Sequence, residues 1–338
     1  MRGEIKQTMG IAGLLVLTLI LAAGSFVFWQ EKFQTASVVL PLKQSIEEES
    51  AGTLLFVGDI MLNRGVEWYI RQNGENWKWP FLRIADTLQK ADLAFGNLES
   101  VISDKGENLG SIFSFRAKPE SVEGLLFAGF DVLSVANNHS LDYGIEAFTD
   151  SMERMRHSGI ATVGGGITKE GAHTPVMKDI KGTKIGFLGY TNLGSPLWQA
   201  GNAPGVAWVD QYTIGEFQDT IRTTKQQSDI LIVSVHFGEE YQTQPSETQK
   251  LIAKSAIDAG ADIVIGHHTH VVQPVEQYKK GWIAWSLGNF VFDQGFSPET
   301  MQGLVLEVVV QDKKITKVSP RSIYLNSEFQ PSFQNLAQ

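Results

Sequence analysis

The chain contains no cysteine, which rules out disulfide bonds and thiolate metal sites. Any metal ion would have to be held by histidine, asparagine, aspartate or glutamate side chains. Basic residues are also in the minority, with 28 Lys and Arg against 37 Asp and Glu and a formal net charge of −9. Binding to a phosphate backbone needs a basic face, and no Lys/Arg-rich run is present, so we expect no nucleic-acid partner.

Residues 11–29 (IAGLLVLTLILAAGSFVFW) contain no charged side chain and are mostly apolar. At about 1.5 Å per residue this run is long enough for the roughly 30 Å hydrocarbon core of a bilayer. Arg2 and Lys6 precede it, a weak positive-inside bias that predicts a cytoplasmic tail at residues 1–10. The sequence therefore predicts a single transmembrane anchor at 11–29, which places the rest of the chain outside the cell membrane.

A cleaved signal peptide is the alternative, because Ala22-Ala23-Gly24 forms a small-residue cleavage region. The apolar run continues past that region through Trp29, which favours the uncleaved anchor. Residues 30–52 are polar, with an acidic run at Glu47-Glu48-Glu49, and are predicted to be a linker.

Alternating strand and helix patterns fill residues 53–325, which predicts one mixed α/β domain followed by a polar, frayed tail at 326–338. Strands are predicted at Thr53–Val57, Ala91–Phe95, Asp131–Val135, Ile160–Val163, Asp229–Val235, Ile263–Ile265 and Trp282–Leu287. Hairpins are predicted for Thr174–Ile180 with Lys184–Thr191, and for Gly303–Val310 with Ile315–Tyr324. Helices are predicted at Pro80–Leu88, Pro119–Ala128, Ile145–His157, Gln211–Gln227 and Pro245–Gly260, and a flexible turn is predicted at Gly164–Gly166. In the last helix, Ser246 and Gln249 have the spacing of a capping box.

Metal-capable side chains follow several of these strands. In Ala261–Gln273 an apolar strand ends at Gly266 and is followed by His267, His268 and His270. His236 follows another strand, so four of the seven histidines lie between positions 236 and 270. Imidazole is a common metal ligand, and ligands bind at the carboxyl ends of strands in open α/β sheets. This clustering predicts a metal site; the alternative is half-buried histidines that hydrogen-bond to backbone carbonyls.

The earlier strands end in the same way. Asp59 follows the first strand, Asn97 and Glu99 follow the second, and Asn138 and His139 follow the third. An asparagine carbonyl can bind a metal ion, and a neighbouring histidine can act as an acid or base near neutral pH. The alternatives are a simple turn at Gly58-Asp59 and a polar helix cap at Asn137-Asn138-His139.

Six motifs together resemble calcineurin-like metallophosphoesterases, and more closely their capsule-synthesis branch, the CapA/PgsA family of poly-γ-glutamate capsule biosynthesis proteins. The motifs are GDIML (58–62), GNLES (96–100), ANNHSLDYG (136–144), HFGEEY (236–241), GHHTHVVQ (266–273) and SLGNFVFD (286–293). The resemblance implies a four-layer sandwich of two mixed sheets flanked by helices, with a dinuclear metal cleft at the strand ends. An N-terminal anchor is also typical of that branch.

The resemblance also implies roles for individual residues. Asp59 would be a metal ligand, Asn138 a ligand of the second site, and His139 the acid that protonates a leaving group. His236, His268 and His270 would complete the metal shell. His267 has no clear counterpart in the family, although a register shift could exchange it with His268. Asp142, in the same motif as His139, is the second catalytic candidate.

Two positions depart from the broader phosphoesterase pattern. Met61 stands where those enzymes have a histidine, and Asn97 stands where they have the carboxylate that bridges two metal ions. Asn97 is neutral and cannot screen two dications from each other, but Glu99 could restore the charge if its loop turns inward.

Two function hypotheses follow. The first is an extracytoplasmic hydrolase that uses one or two divalent ions (Mn, Fe or Zn) on a phosphoester or a related linkage, within capsule synthesis or unrelated to it. The second is a membrane-anchored accessory or scaffold subunit of a capsule polymer synthase, which contacts other synthase subunits and binds polyglutamate without breaking a bond.

Overall fold

The computed structural model describes residues 51–333 of the chain. The predicted cytoplasmic tail, the transmembrane anchor at 11–29 and nearly all of the linker lie outside the described residues, as do residues 334–338. No helix in the described range is long and apolar enough to cross a membrane.

The described chain contains eighteen strands, several of only two or three residues. In chain order they are β1 Gly52–Ile60, β2 Leu93–Leu98, β3 Val101–Ile102, β4 Arg116–Ala117, β5 Val132–Ser134, β6 Ala161–Val163, β7 Gly165–Gly166, β8 Val176–Ile180, β9 Thr183–Thr191, β10 Gly205–Val206, β11 Ile230–His236, β12 Ile263–His267, β13 Val275–Tyr278, β14 Gly281–Ala284, β15 Asn289–Val291, β16 Gln302–Gln311, β17 Lys314–Leu325 and β18 Pro331–Phe333.

Seven α-helices connect these strands within the described range. They are α1 Arg64–Gln72, α2 Ala85–Leu88, α3 Ser121–Ala128, α4 Gly144–Ser158, α5 Lys169–Ala172, α6 Ile214–Lys225 and α7 Glu247–Ala259. The predicted capping box of α7 is present, because the Ser246 side chain accepts from the Gln249 N–H and the Gln249 side chain accepts from the Ser246 N–H. Gly129, Gly159 and Gly260 end their helices in the left-handed conformation.

The strands form two large mixed sheets. The first has the order β18-β17-β16-β1-β2-β5-β6, with β15 also paired to β1. Its strands β1, β2, β5 and β6 are parallel, whereas β16, β17 and β18 are antiparallel. The second has the order β13-β14-β12-β11-β9-β8, with a parallel centre and antiparallel edge strands. The parallel strands of each sheet therefore deliver their carboxyl ends to one edge.

The alternation of side chains along each strand explains how the sheets pack. Leu54 and Phe56 of β1 point into a core shared with the second sheet, where Phe95 stacks on Phe187 with ring centroids 5.9 Å apart. Leu55 and Val57 point to the opposite face, against helices α1 and α3. Helices α6 and α7 cover the outer face of the second sheet in the same way. The layers therefore run helix, sheet, sheet, helix, and the mixed α/β expectation is confirmed.

Several local predictions were wrong. The helix predicted at Pro80–Leu88 is broken at Ile84, where φ is −130°, so only a 3-10 turn at Trp79–Phe81 and the four-residue α2 form. Gly165–Gly166 is a strand paired with β10 and not a flexible turn. A β-carbon on Gly166 would lie 2.2 Å from the Ala172 nitrogen, so glycine permits this close approach. Pro331–Phe333 pairs with β17 and does not fray.

Candidate metal centre

The metal-capable side chains predicted from the sequence meet at the edge where both sheets end. Strand register explains the meeting, because Asp59 of β1 lies beside Asn97 of β2, and His236 of β11 lies beside His267 of β12. Asp59 and Asn97 lie within the last residues of their strands, not beyond them as the sequence suggested. The cluster combines oxygen donors from the first sheet with imidazoles from the second. Its members, nearly all fully buried, are Asp59, Asn97, Glu99, Asn138, His236, His267, His268 and His270.

Glu99 lies at the centre of this cluster. Its Oε1 atom is 3.8 Å from Nε2 of His236, 3.8 Å from Nε2 of His270 and 3.9 Å from Nε2 of His139. Within residues 51–333 this buried oxygen has no hydrogen-bond partner. The loop after β2 thus turns Glu99 inward. In this position Glu99 can supply the negative charge that the neutral Asn97 lacks.

Asp59 contacts three histidines of the opposite sheet. Its Oδ2 accepts a hydrogen bond from the His268 backbone N–H at 3.1 Å and lies 3.5 Å from His270 Nδ1. Its Oδ1 lies 3.3 Å from His267 Nδ1. Burial acts to raise the pKa of Asp59, but the contacts and charges of His267 and His270 hold it well below its usual value. The two imidazoles therefore favour the charged form of Asp59.

Two overlapping sets of donor atoms could each hold an ion. One consists of Asp59, Glu99 and His236, and the other of Glu99, His268 and His270, with the donor atoms of each set within 4.8 Å of one another. Glu99 belongs to both sets. His267 belongs to neither, although both of its ring nitrogens are buried without a hydrogen-bond partner in the described chain.

Two histidines of the cluster and Glu99 favour their uncharged forms, unlike Asp59. Burial, followed by the neighbouring imidazoles, lowers the pKa of His236 well below its usual value and that of His268 to about 3. Burial, followed by the charges of Asp59, Glu240 and Asp142, raises the pKa of Glu99 well above its usual value. Neutral imidazoles have a free lone pair, and a nearby cation would reverse the preference of Glu99, so the cluster fits a divalent ion.

The backbone that carries the histidines is strained. His268 has φ 92° and His270 has φ 58°, both in the left-handed region that side-chain-bearing residues avoid. Each such residue costs about 1–3 kcal/mol and is tolerated only where the surrounding structure enforces it. This turn aims His270 back at the cleft, where its Nδ1 lies 3.0 Å from Asn289 Oδ1.

The two asparagines of the cluster differ in their contacts. Asn97 Nδ2 donates to Asp59 Oδ1 at 2.9 Å, and its Oδ1 accepts from Asn137 Nδ2 at 3.3 Å, so both ends of this amide are engaged. Asn138 Oδ1 accepts from His236 Nε2 at 2.7 Å. In the Asn137-Asn138-His139 motif, Asn137 Oδ1 accepts from the His139 N–H at 3.1 Å, so the motif does form a polar turn. This turn does not cap helix α4, whose N-cap residue, Tyr143, has no side-chain capping hydrogen bond, so only the capping part of that alternative was wrong.

His139 and Asp142 form a hydrogen-bonded pair at the mouth of the cleft. Nδ1 of His139 lies 2.7 Å from Oδ2 of Asp142, which also accepts from the Phe115 backbone N–H at 2.8 Å. The Phe115 ring stacks on the imidazole with centroids 3.8 Å apart. These contacts orient Nε2 of His139 towards Glu99.

A cavity of about 220 Å³ opens above His139 and His270. Several residues that form it were not among the predicted site residues, namely Arg64, Phe115, Tyr241 and Asp293, and neither was Asn289 behind His270. Tyr241, Asn289 and Asp293 nevertheless lie in the family-like motifs at 236–241 and 286–293. Asn289 was detectable, because it follows a predicted strand and a glycine as Asn97 does. Phe115 and Arg64 carried no such signal. Met61, the other departure from the phosphoesterase pattern, is packed in the core beneath the helices.

Comparisons with known proteins agree with this fold. The profile of the family described as bacterial capsule synthesis protein PGA_cap matches residues 53–294. The chain is 31% identical, over 86% of its length, to the capsule biosynthesis protein CapA of Bacillus anthracis, and the match covers 70% of that protein. It is 34% identical, over 74% of its length, to the PGA biosynthesis protein CapA of Bacillus subtilis (strain 168), and the match covers 66% of that protein.

Among solved structures, the chain is similar to the crystal structure of a novel phosphatase from Mycoplasma pneumoniae, with a TM-score of 0.50 and 15% sequence identity. The similarity covers 81% of this chain and 94% of the phosphatase. At this level of identity the similarity establishes a shared fold and nothing about the reaction.

Proposed function

Because the chain belongs to the bacterial capsule synthesis protein PGA_cap family, we propose that it acts in poly-γ-glutamate capsule biosynthesis or export through a metal-dependent, phosphoesterase-like cleft. Two relatives named for capsule and PGA biosynthesis support the biological process, with the match spanning 70% and 66% of their lengths. The arrangement of side chains at the sheet edge supports the chemistry.

One observation carries the metal proposal: Glu99 Oε1 is buried, has no hydrogen-bond partner in the described chain, and faces three imidazole Nε2 atoms. A buried polar group without a partner costs about 1–3 kcal/mol, and more when it is charged. A divalent ion between the carboxylate and the imidazoles would supply the missing partner.

The two donor sets suggest how ions would be held. Asp59, Glu99 and His236 would hold one ion, and Glu99, His268 and His270 the other, so Glu99 would take the bridging role that Asn97 cannot take. Asn138 Oδ1 lies next to His236 Nε2 and would join the first set. We expect Asn97 to orient Asp59 through its hydrogen bond. A set of imidazole and carboxylate donors suits Mn, Fe or Zn, and an ion there supplies Lewis acidity and lowers the pKa of water towards about 7.

His139, oriented by its neighbours, would protonate the leaving group. Asp142 accepts from Nδ1 of His139, so this carboxylate fixes the imidazole tautomer and leaves Nε2 facing the cleft. Phe115 stacks on the ring and limits its rotation. His139 can then give a proton to the departing oxygen, a role that contributes about 10²–10⁴-fold to the rates of enzymes.

The location remains part of the proposal. The uncharged run at residues 11–29 supports a single membrane anchor with the cleft domain outside the cell, next to other subunits of the polymer synthase. Polyglutamate and a phosphoester are the two substrate classes that remain open.

A non-catalytic accessory role is the second candidate, favoured by the neutral Asn97 at the position of the usual bridging carboxylate. In this case the cleft would hold polymer or a partner protein and no bond would break. An acidic chain does not attract polyglutamate by itself, so a bound metal ion would still be needed to mediate contact.

The test combines elemental analysis with complementation of a capsule-negative strain. The purified full-length chain is expected to carry Mn, Fe or Zn and to hydrolyse a phosphoester, and His139→Ala to keep the metal but lose turnover and capsule. Absence of any divalent ion after mild purification would contradict the metal proposal. Full capsule from His139→Ala cells, with none from cells lacking residues 1–30, would establish the accessory role instead.

A further inference from the structure

The cleft above the candidate metal centre contains an arginine that the chemistry described above does not use. Arg64 lines the cavity together with His139 and His270. Asp293 holds its guanidinium, with Nη2 2.6 Å from Oδ1 and Nε 3.1 Å from Oδ2. This ion pair fixes one edge of the planar group, while 36% of the arginine side chain stays exposed.

The backbone at Arg64 is held in an unfavourable conformation. Its φ of 52° lies in the left-handed region, and residues fixed there cluster at ligand clamps and active sites. The next residue, Gly65, donates its N–H to Asp293 Oδ2 at 2.8 Å. A β-carbon on Gly65 would lie 2.9 Å from Asp293 Cβ, so the glycine lets the carboxylate approach. Asp293 thus binds both the guanidinium of Arg64 and the backbone N–H of Gly65, and these contacts together fix the position of the arginine.

Phe115 connects Arg64 to the candidate acid. One contact of the Phe115 ring is the stack on His139, with centroids 3.8 Å apart. The guanidinium carbon of Arg64 lies 5.1 Å from the centroid of the same ring, within the range of a cation–π contact. Arg64, Phe115 and His139 therefore form a packed series, which fixes the position of the guanidinium relative to the imidazole.

The charges around the cavity explain why a cation is useful there. Glu240 and Asp293 line it, and Glu99 and Asp142 lie next to His139, so an anionic substrate would meet several carboxylates. Arg64 is the only arginine or lysine among the residues that line this described cavity. The bonds to Asp293 use Nε and Nη2, and within residues 51–333 no hydrogen bond is seen from Nη1.

We propose that Arg64 binds an oxyanion of the substrate, next to the bond that the cleft would cleave, through its Nη1 N–H groups. The inference rests on the proposed function, because it assumes that the substrate enters this cleft. A guanidinium binds phosphate and carboxylate oxygens by the same charge-assisted hydrogen bonds. A phosphoester offers the first kind of oxygen, and poly-γ-glutamate offers the second in the free α-carboxylate of each residue.

The experiment measures binding of two probes, inorganic phosphate and a γ-linked glutamate oligomer, to the purified full-length chain by calorimetry at two salt concentrations. The variants are Arg64→Gln, Arg64→Lys and, as a matched control, Arg71→Gln. Arg71 lies on the same helix but pairs with Glu67 at the surface. Elemental analysis and a thermal melt of each sample separate lost binding from lost metal or lost folding.

We expect Arg64→Gln to weaken at least one probe by about tenfold or more and to reduce the salt dependence of its binding, with Arg64→Lys in between. Arg71→Gln is expected to bind like the wild type. An effect on phosphate alone would identify a phosphoester oxygen as the ligand, and an effect on the oligomer alone would identify a carboxylate.

Two results would overturn the role of Arg64: wild-type affinity for both probes in a folded Arg64→Gln chain, or no binding of either probe by the wild type. A wild-type chain that lacks divalent metal but loses probe affinity on Arg64→Gln would contradict the proposed function and still support Arg64.

Discussion

Two cavities of the described domain, of about 550 Å³ and 220 Å³, differ in the side chains that line them as well as in size. The larger, about 550 Å³, lies between helix α4 and strands β6 and β7, and backbone and apolar side chains such as Met152 and Ile167 form most of it. Its charged residues, Glu153 and Arg156, both belong to α4. The smaller, about 220 Å³, brings together charged and titratable side chains from five separate segments of the chain.

This difference shows that volume is a poor guide to chemistry here. The largest apolar pocket is the usual first choice for a binding site, but catalysis needs several polar groups that converge on one point. Only the smaller of the two cavities lies over strained histidines and a buried carboxylate without a hydrogen-bond partner. Substitutions in the larger cavity, and in or beneath the smaller one, test this contrast.

The largest effect is expected from Glu99→Gln, compared with Glu153→Gln in the larger cavity. The first change keeps the side-chain shape but removes the charge that both donor sets share, so metal affinity should fall by more than about 100-fold and turnover should disappear. Glu153→Gln should leave both unchanged. Elemental analysis and a phosphoester assay measure these effects, and equal metal content in the two variants would remove the distinction between the cavities.

His139→Ala should have the next largest effect, with His157→Ala as its control. Loss of the proton donor should reduce turnover by about 10²–10⁴-fold while the bound metal remains. His157 lies exposed on α4, and its loss should change turnover less than twofold within assay error. Steady-state kinetics on metal-loaded samples measures the turnover of both variants. A His139→Ala chain as active as the wild type would exclude an acid role for this histidine.

Asn97→Asp tests the electrostatics of the candidate metal centre by adding a negative charge, whereas Glu99→Gln removes one. A third carboxylate beside Asp59 and Glu99 should lower the unfolding free energy of the metal-free chain by about 3 kcal/mol, because the added charge is buried without a partner. Added Mn²⁺ should recover most of this loss. The matched surface change is Asn202→Asp, and denaturant unfolding with and without metal measures both. If the metal-free Asn97→Asp chain were as stable as the wild type, a third carboxylate beside Asp59 and Glu99 would not be destabilising, and the prediction would be wrong.

The smallest effect is expected from Ile167→Ser in the larger cavity. Ile167 is 55% exposed, so its replacement should change the unfolding free energy by no more than about 0.5 kcal/mol. Capsule formation and metal content should match the wild type. Loss of capsule from a folded Ile167→Ser chain would mean that the larger cavity also has a function.

Sequence reasoning succeeded where local patterns determine structure. Short, continuous apolar runs predicted the strands that carry Asp59, His236 and the three neighbouring histidines, and the parallel pairing of these strands placed the side chains at one edge. The capping box at Ser246 was predicted for the same reason, since it depends on residues only three apart. The cluster was foreseeable because each donor sits where a strand ends.

The parts that sequence reasoning missed depend on contacts between distant segments. Arg64 begins a helix that the analysis did not predict, and its position depends on Asp293, 229 residues away. Phe115 immediately precedes β4, and the ribbon that β4 forms with β3 is too short to leave a periodic pattern. For Glu99 the sequence predicted only that the residue could restore the charge if its loop turned inward. The sequence could not predict the turn itself, because packing decides the direction of a loop side chain.

The division of the donors between the two sheets has a consequence for folding. Asp59 and Glu99 belong to the first half of the chain and His236, His268 and His270 to the second, and Asp59 and His268 are 209 residues apart. An ion held by either donor set would therefore close a long loop, much as a disulfide bond would in a chain that had cysteines. Removal of the ion by a chelator would then weaken the association between the two halves of the domain, in addition to abolishing any metal-dependent activity.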